Sequence, residues 1–145
     1  MMSETTTPPT GSYGSTSGTD SRGARPLIED LMVFSLPSEI DALREEAPYL
    51  EGDRNSATLA KEVDFRVLLS VLRSGAALDD HSGDARASIQ VLEGTAGLTV
   101  GSAQEAQLDE ADVAVVDAGP SWRLRATSDC ALLLTLAWPR EKTGV

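Results

Sequence analysis

Two stretches decide the fold of this chain: GAALDDHSGDARASIQVLEG at residues 75–94 and ADVAVVDAGPSWRLRA at residues 111–126. Within each, apolar residues alternate with polar ones, as in ASIQV and WRLRA, and glycine, aspartate and serine stand between the alternating runs. A period of two is typical of strands that bury one face, and those interrupting residues are typical of turns. Both stretches therefore predict short β-strands joined by turns.

The same texture continues on either side of these stretches. We expect strands at residues 57–62, 64–73, 87–92, 97–100, 106–108, 113–116, 122–126 and 130–138. Many short strands at regular spacing indicate a sandwich or a barrel. The predicted fold class is therefore all-β.

The spacing inside both stretches resembles that of the cupins, which are small jelly-roll barrels. Their first motif, G-x5-H-x-H-x3-E-x6-G, places Gly75 at the opening glycine, His81 at the first histidine and Gly94 at the closing glycine. Their second motif, G-x5-P-x-G-x2-H-x3-N, keeps Gly119. The gap lengths fit both motifs without insertion or deletion. The resemblance implies a cupin-like double-stranded β-helix (jelly-roll barrel).

Most metal ligands of that family are missing here. Gly83 and Ala87 stand at the second histidine and the glutamate of the first motif, and Trp122 stands at the histidine of the second. These side chains offer no lone pair to a cation, whereas a protein metal site needs three or four donors. The second motif also departs from the family at its opening glycine, its proline and its asparagine, which are Ala111, Asp117 and Ala126. We therefore expect no metal and no other cofactor at the family position.

Five residues are candidates for lining a pocket in the barrel: His81, Trp122, Ala87, Ile89 and Val91. The last three form the predicted inward set of one strand. His81 is either a leftover polar residue at the barrel mouth or a group that contacts a ligand, since histidine titrates near neutral pH. Trp122 either fills the space of the lost metal site or forms a wall for a small molecule.

Charged residues near the motifs admit further interpretations. Arg123 and Arg125 alternate with Trp122 and Leu124, and they are either surface charge or contacts for an anionic ligand. A displaced metal site would have to combine His81 with nearby carboxylates: Asp79, Asp80, Asp84 or Asp117. No P-loop, dinucleotide fingerprint or nucleophile elbow is present.

Composition restricts the partners and the compartment. The net charge of −11 repels phosphate backbones and anionic lipid surfaces, so neither nucleic acid nor a membrane is an expected partner. No apolar run reaches the length needed to cross a bilayer. The single cysteine, Cys130, lies in an apolar run and is expected to pack as a small hydrophobe. Cytoplasm is the expected location.

The composition also divides the chain into four parts. Residues 1–26 are rich in Ser, Thr, Gly and Pro and predict a disordered tail. Residues 27–56 form an arm, with an apolar segment at 27–34 that could dock as a strand and a short helix over residues 36–46 that Pro48 ends. Residues 57–139 form the barrel, and residues 140–145 are a polar end.

The leading functional hypothesis is a non-catalytic cupin that binds a small molecule or serves as a regulatory or assembly module. The alternative is a metal-dependent dioxygenase or isomerase of the cupin type with the displaced site. A third possibility is a structural protein that uses residues 27–50 to dock on a partner. A homodimer is also expected, because the strands at residues 65–72 and 131–137 are apolar on both faces.

Overall fold

The computed structural model describes residues 30–79 and 83–139, which form two antiparallel sheets and two short helices. The sheets have the orders β1-β2-β9-β4-β7 and β3-β8-β5-β6. The helices are α1 (Leu36–Arg44) and α2 (Ala47–Leu50); the strands are β1 (Arg54–Glu62), β2 (Phe65–Leu72), β3 (Ala77–Asp79), β4 (Arg86–Glu93), β5 (Ala96–Val100), β6 (Gln104–Leu108), β7 (Val113–Val116), β8 (Trp122–Ala126) and β9 (Cys130–Ala137). The all-β jelly-roll prediction is confirmed.

Alternation along the strands builds the core between the two sheets. On β8, Trp122, Leu124 and Ala126 are buried while Arg123 and Arg125 are exposed. The same period of two turns Ala87, Ile89 and Val91 of β4 inward, as predicted. Together with inward residues of β9, these side chains form an apolar cluster, which we call the inner core: Leu72, Ala76, Ala85, Ala87, Ile89, Val91, Ala96, Leu98, Leu108, Val116, Trp122, Leu124, Ala126, Cys130, Leu132, Leu134 and Leu136.

A second apolar cluster lies on the outside of the five-stranded sheet, beneath the helices. Ile40 and Leu43 of α1 and Tyr49 of α2 are buried there against Leu69 and Val71 of β2. The helices therefore cover one outer region of their own sheet, as an amphipathic face requires. Because these buried side chains belong to the domain, a partner-docking role for residues 27–50 stays a prediction for the exposed part of the arm, which contains Leu31 and Val33.

Several predictions about local structure were wrong. β1 begins at Arg54, three residues before the predicted start at residue 57. Pro48 does not simply end a helix; it lies in the first turn of α2, where proline's missing N–H costs no hydrogen bond. The three-residue strand β3 was not predicted.

The N-terminal segments fare differently. Residues 30–35 form no strand, since their backbone joins neither sheet. The predicted tail at residues 1–26, the start of the arm at residues 27–29 and the C-terminus at residues 140–145 lie outside the described residues. No helix in the described ranges is long and apolar enough to cross a bilayer.

Candidate functional site

Three of the four ligand positions in the two cupin motifs are occupied here by glycine and by buried apolar groups. Ala87 on β4 and Trp122 on β8 belong to opposite sheets and meet in the inner core, where they are 2% and 5% exposed. Gly83 precedes β4 and is exposed. Two of the three altered ligand positions therefore hold buried apolar side chains that pack between the sheets.

The motif glycines that are kept have a backbone role. Gly75, Gly94 and Gly119 have φ values of 94°, 83° and 112°, a conformation that only glycine adopts without strain. Ala111, at the lost opening glycine of the second motif, also has a positive φ, of 76°. All four positions therefore have the left-handed turn conformation, whichever residue occupies them.

Backbone hydrogen bonds join the two motifs. The amide of Gly119 donates to the carbonyl of Gly83 at 3.0 Å. The amide of Ala111 donates to the carbonyl of Val91 at 2.8 Å, and the amide of Val91 donates to the carbonyl of Asp112 at 3.0 Å. Main-chain hydrogen bonds therefore connect the stretch at residues 75–94 to the stretch at residues 111–126.

The predicted pocket residues have different positions in the structure. Ala87, Ile89 and Val91 lie in the inner core with exposures of 2% or less, and they line neither of the two clefts described below. Trp122 borders one of those clefts. His81 and Asp80 lie outside the described residues. A ligand pocket built from these side chains stays a prediction.

Two of the carboxylates proposed for a displaced metal site are paired with arginines. Asp79 accepts a hydrogen bond from Arg123 at 3.1 Å, and Asp117 accepts one from Arg86 at 2.9 Å. The Ala118 amide and the Arg86 guanidinium both lower the pKa of the exposed Asp117 carboxyl. Asp84 is exposed. Over residues 30–79 and 83–139, no three His, Cys, Asp or Glu side chains gather as a metal site would require.

Cys130 has the environment expected of a structural thiol. It is fully buried in the inner core, and burial raises its pKa to about 11. A thiol that stays protonated at neutral pH is a poor nucleophile. The prediction that Cys130 packs as a small hydrophobe is confirmed.

Two clefts lie on the four-stranded sheet. The one that we call the outer cleft, about 460 Å³, spans β5, β6 and β8 and includes Arg123 and Arg125. The other, which we call the rim cleft, is about 440 Å³ and includes Trp122 and Asp79. Strand alternation predicted that both arginines face away from the core. It could not predict that Gly97 and Gln107 would share the outer cleft with them, because that depends on which strands pair.

Solved structures that resemble this chain include several with the jelly-roll fold. A conserved protein of unknown function from Streptococcus pyogenes is 24% identical, with a TM-score of 0.61 over 79% of this chain and 93% of that protein. A cupin superfamily protein from Desulfitobacterium hafniense is 19% identical, with a TM-score of 0.56 over 59% of this chain and 78% of that protein. The cupin domain of an XRE family transcriptional regulator from Enterobacter cloacae is 14% identical, with a TM-score of 0.54 over 61% of this chain and 99% of that domain.

Sequence comparisons add no relative. No protein-family model matches the chain, and no curated protein matches it. The structural likenesses, together with the two sheets and the motif glycines, show that this chain has the fold of the cupin superfamily.

Proposed function

We propose that this protein is a non-catalytic cupin that binds a small molecule, or serves as a regulatory or assembly module, without a metal at the family position. The observation that carries the proposal is the burial of Ala87 and Trp122 in the inner core, at positions that bear ligands in the family. A methyl group donates no electron pair, and an indole N–H is a hydrogen-bond donor only. The occurrence of a cupin domain in a transcriptional regulator supports the regulatory version.

Elemental analysis of the full chain, purified without chelator, tests the metal-free part of the proposal. We expect transition metal far below one equivalent. As a positive control, a variant carrying Gly83→His, Ala87→Glu and Trp122→His restores the family's donors, and its folding can be checked by circular dichroism. Near-stoichiometric metal in the native protein would overturn the proposal.

The rival is a cupin-type dioxygenase or isomerase with a displaced site around His81. The ion pairs of Asp79 and Asp117 with arginines count against it, since coordination would have to break a charge-assisted hydrogen bond at each. If the native protein does carry metal, the His81→Ala variant shows whether the metal site uses His81. Loss of the metal supports the displaced site, and retention excludes a site that uses His81.

We also propose that the protein forms a homodimer through what we call the uncovered face, the part of the five-stranded sheet beside the helices. The strand register places Thr135, Ser88 and Val115 in one row across β9, β4 and β7, and it places Leu133, Gln90 and Val113 in the next. Val113 and Val115 are 56% and 75% exposed.

A second copy suits this face because the two rows carry no charge in a chain of net charge −11. Across a two-fold axis a surface meets itself, so a carboxylate would face a carboxylate. Serine, threonine and glutamine both donate and accept hydrogen bonds and can therefore pair with their own copies. Apolar valines at the same face add the burial that association requires.

Light scattering after size exclusion at micromolar concentration measures the mass of the assembly. We expect a dimer from the native chain and a monomer from Val115→Lys, which places like charges near the axis. Gln104→Lys, on the other sheet, is the matched control and should remain a dimer. A native chain that is only monomeric would contradict this proposal.

A cytoplasmic location is the final part of the proposal. It is supported by the buried, unpaired Cys130, since unpaired cysteines are usual in reducing compartments. Fractionation of the native host, with immunodetection of the protein in each fraction, would test it. Recovery outside the cytoplasmic fraction would contradict it.

A further inference from the structure

Arg125 differs from the other arginines in the described part of the chain. Its Nη1 atom donates to the carbonyl of Gly75 at 2.8 Å, and no carboxylate or aromatic ring of the described residues contacts it. Every other described arginine has such a partner: Arg44, Arg54, Arg86 and Arg123 pair with acids, and Arg66 and Arg73 lie over aromatic rings. Acids are nearly twice as numerous as bases in the chain, so a described guanidinium that is paired with no described acid is unusual.

The strand register gives Arg125 an open space to face. Arg125 on β8 is paired with Gly97 on β5, and Gly97 is paired with Gln107 on β6. A Cβ atom added at Gly97 would meet nothing within 4 Å. Because Gly97 has no side chain, the outer cleft has an open floor at the register position between Arg125 and Gln107. The cleft is a solvent-open depression of about 460 Å³.

Most polar groups around this floor can donate a hydrogen bond to an anion, although the hydroxyl and amide groups can also accept one. Thr99 and Thr127 supply hydroxyl groups, and Gln107 supplies an amide. Arg123 is the neighbour of Arg125 on the same face, held at the opposite side by Asp79. Glu105 is the one acid on the outer cleft, and it pairs across the sheet with Thr99 and not with Arg125's partner Gly97.

We propose that the outer cleft binds a small organic anion, a carboxylate or a phosphate monoester, with Arg125 as the residue that anchors it. The planar guanidinium presents paired N–H donors that match two oxygens of either group. One of the five N–H groups of Arg125 donates to the Gly75 carbonyl, and the other four remain to donate to two oxygens of a ligand. This inference rests on the proposed small-molecule role and deepens it by naming the ligand class and the site.

Titration of the ¹⁵N-labelled full chain by NMR tests this inference, with malonate and inorganic phosphate as separate probes and sodium chloride matching the ionic strength. We expect saturable shifts at Gly97, Thr99, Arg125 and Thr127 with one or both probes. Saturation with malonate alone assigns the site to carboxylates, and saturation with phosphate alone assigns it to phosphates. Absence of a saturable shift with either probe would overturn the inference.

Two variants separate a site from general electrostatics. Arg125→Gln should weaken binding about tenfold, the size of one charge-assisted contact. Gly97→Val fills the floor without touching a charge and should weaken binding similarly. The matched control is Arg86→Gln, which removes the same charge on the other sheet and should leave affinity unchanged. Equal loss in all three variants would overturn the inference.

This experiment and the elemental analysis fail separately. Stoichiometric metal would contradict the metal-free proposal but would not affect the conclusion drawn from the NMR titration of the outer cleft. Unsaturable titrations would remove the anion site while leaving a metal-free protein.

Discussion

Ala111 donates its backbone N–H to the carbonyl of Val91 at 2.8 Å while holding a φ of 76°. This contact joins the second motif to the first, and it sets the turn that leads into β7. The left-handed conformation costs an alanine roughly 1 kcal/mol or more, whereas glycine adopts it freely. Position 111 therefore has a turn conformation that suits glycine but holds an alanine.

Ala111→Gly should consequently stabilise the fold by about 1 kcal/mol, measured as the free energy of unfolding in urea. Ala114→Gly is the matched control. It makes the same change within β7, at a residue without a positive φ, and should destabilise the fold by roughly 0.5–1 kcal/mol. If both changes shift stability in the same direction, the strain at Ala111 is not significant.

Gly94→Ala should be strongly destabilising. A Cβ atom there would lie 2.2 Å from the carbonyl oxygen of Asp129 and 2.9 Å from the Cβ of Cys130, on a backbone with a φ of 83°. Both backbone and core would have to shift, so we expect a loss of about 3 kcal/mol in thermal or urea unfolding. Gly97→Ala, with open space around it, should change stability little by comparison.

Trp122→Ala tests how much this ring contributes to the packing of the inner core. Because Trp122 is 5% exposed within the inner core, we expect a loss of about 3–5 kcal/mol in the free energy of unfolding. Trp138→Ala provides the comparison, since Trp138 is only partly buried and lies beneath Arg66 at 5.1 Å. We expect a smaller loss for Trp138→Ala, and a loss below about 1 kcal/mol for Trp122→Ala would contradict the packing role of Trp122.

The Cys130 thiol should make the fold less stable at high pH. The unfolded thiol ionises near its ordinary pKa of 9.0, whereas burial raises the pKa to about 11 in the fold. The contribution of the protonated thiol to the free energy of unfolding is therefore fully present below pH 9.0. It is lost as the pH rises from 9.0 to about 11, by roughly 3 kcal/mol in all. Cys130→Ala should lack this decline in urea unfolding, and identical pH profiles for the two proteins would contradict the assignment.

Much of the fold follows from local patterns. Alternation identified the inward residues of β4 and β8, and the boundaries of β7 and β8 matched the prediction. The motif glycines Gly75, Gly94 and Gly119 do have positive φ values. These features could be predicted because each depends on residues close together in the chain.

The candidate site was less predictable. β3 has only three residues, too few for a period to be detected, and it joins the sheet by pairing with β8. The burial of Tyr49 against the outer side of the sheet could not be predicted, because it depends on α1 and α2 folding back over β1 and β2. Side chains that line the outer cleft come from β5, β6 and β8, and no local pattern contains their pairing.

The residues alone indicate an all-β chain with glycine turns at the spacing of the cupin motifs, and they place glycine, alanine and tryptophan at three of the positions where those motifs have metal ligands. Tertiary structure alone establishes that Trp122 is enclosed by the opposite sheet and that Arg125 lies opposite Gly97. The physical reason is the range of the interactions. Alternation and glycine conformation are properties of neighbouring residues, whereas strand register is chosen by the packing of the whole core.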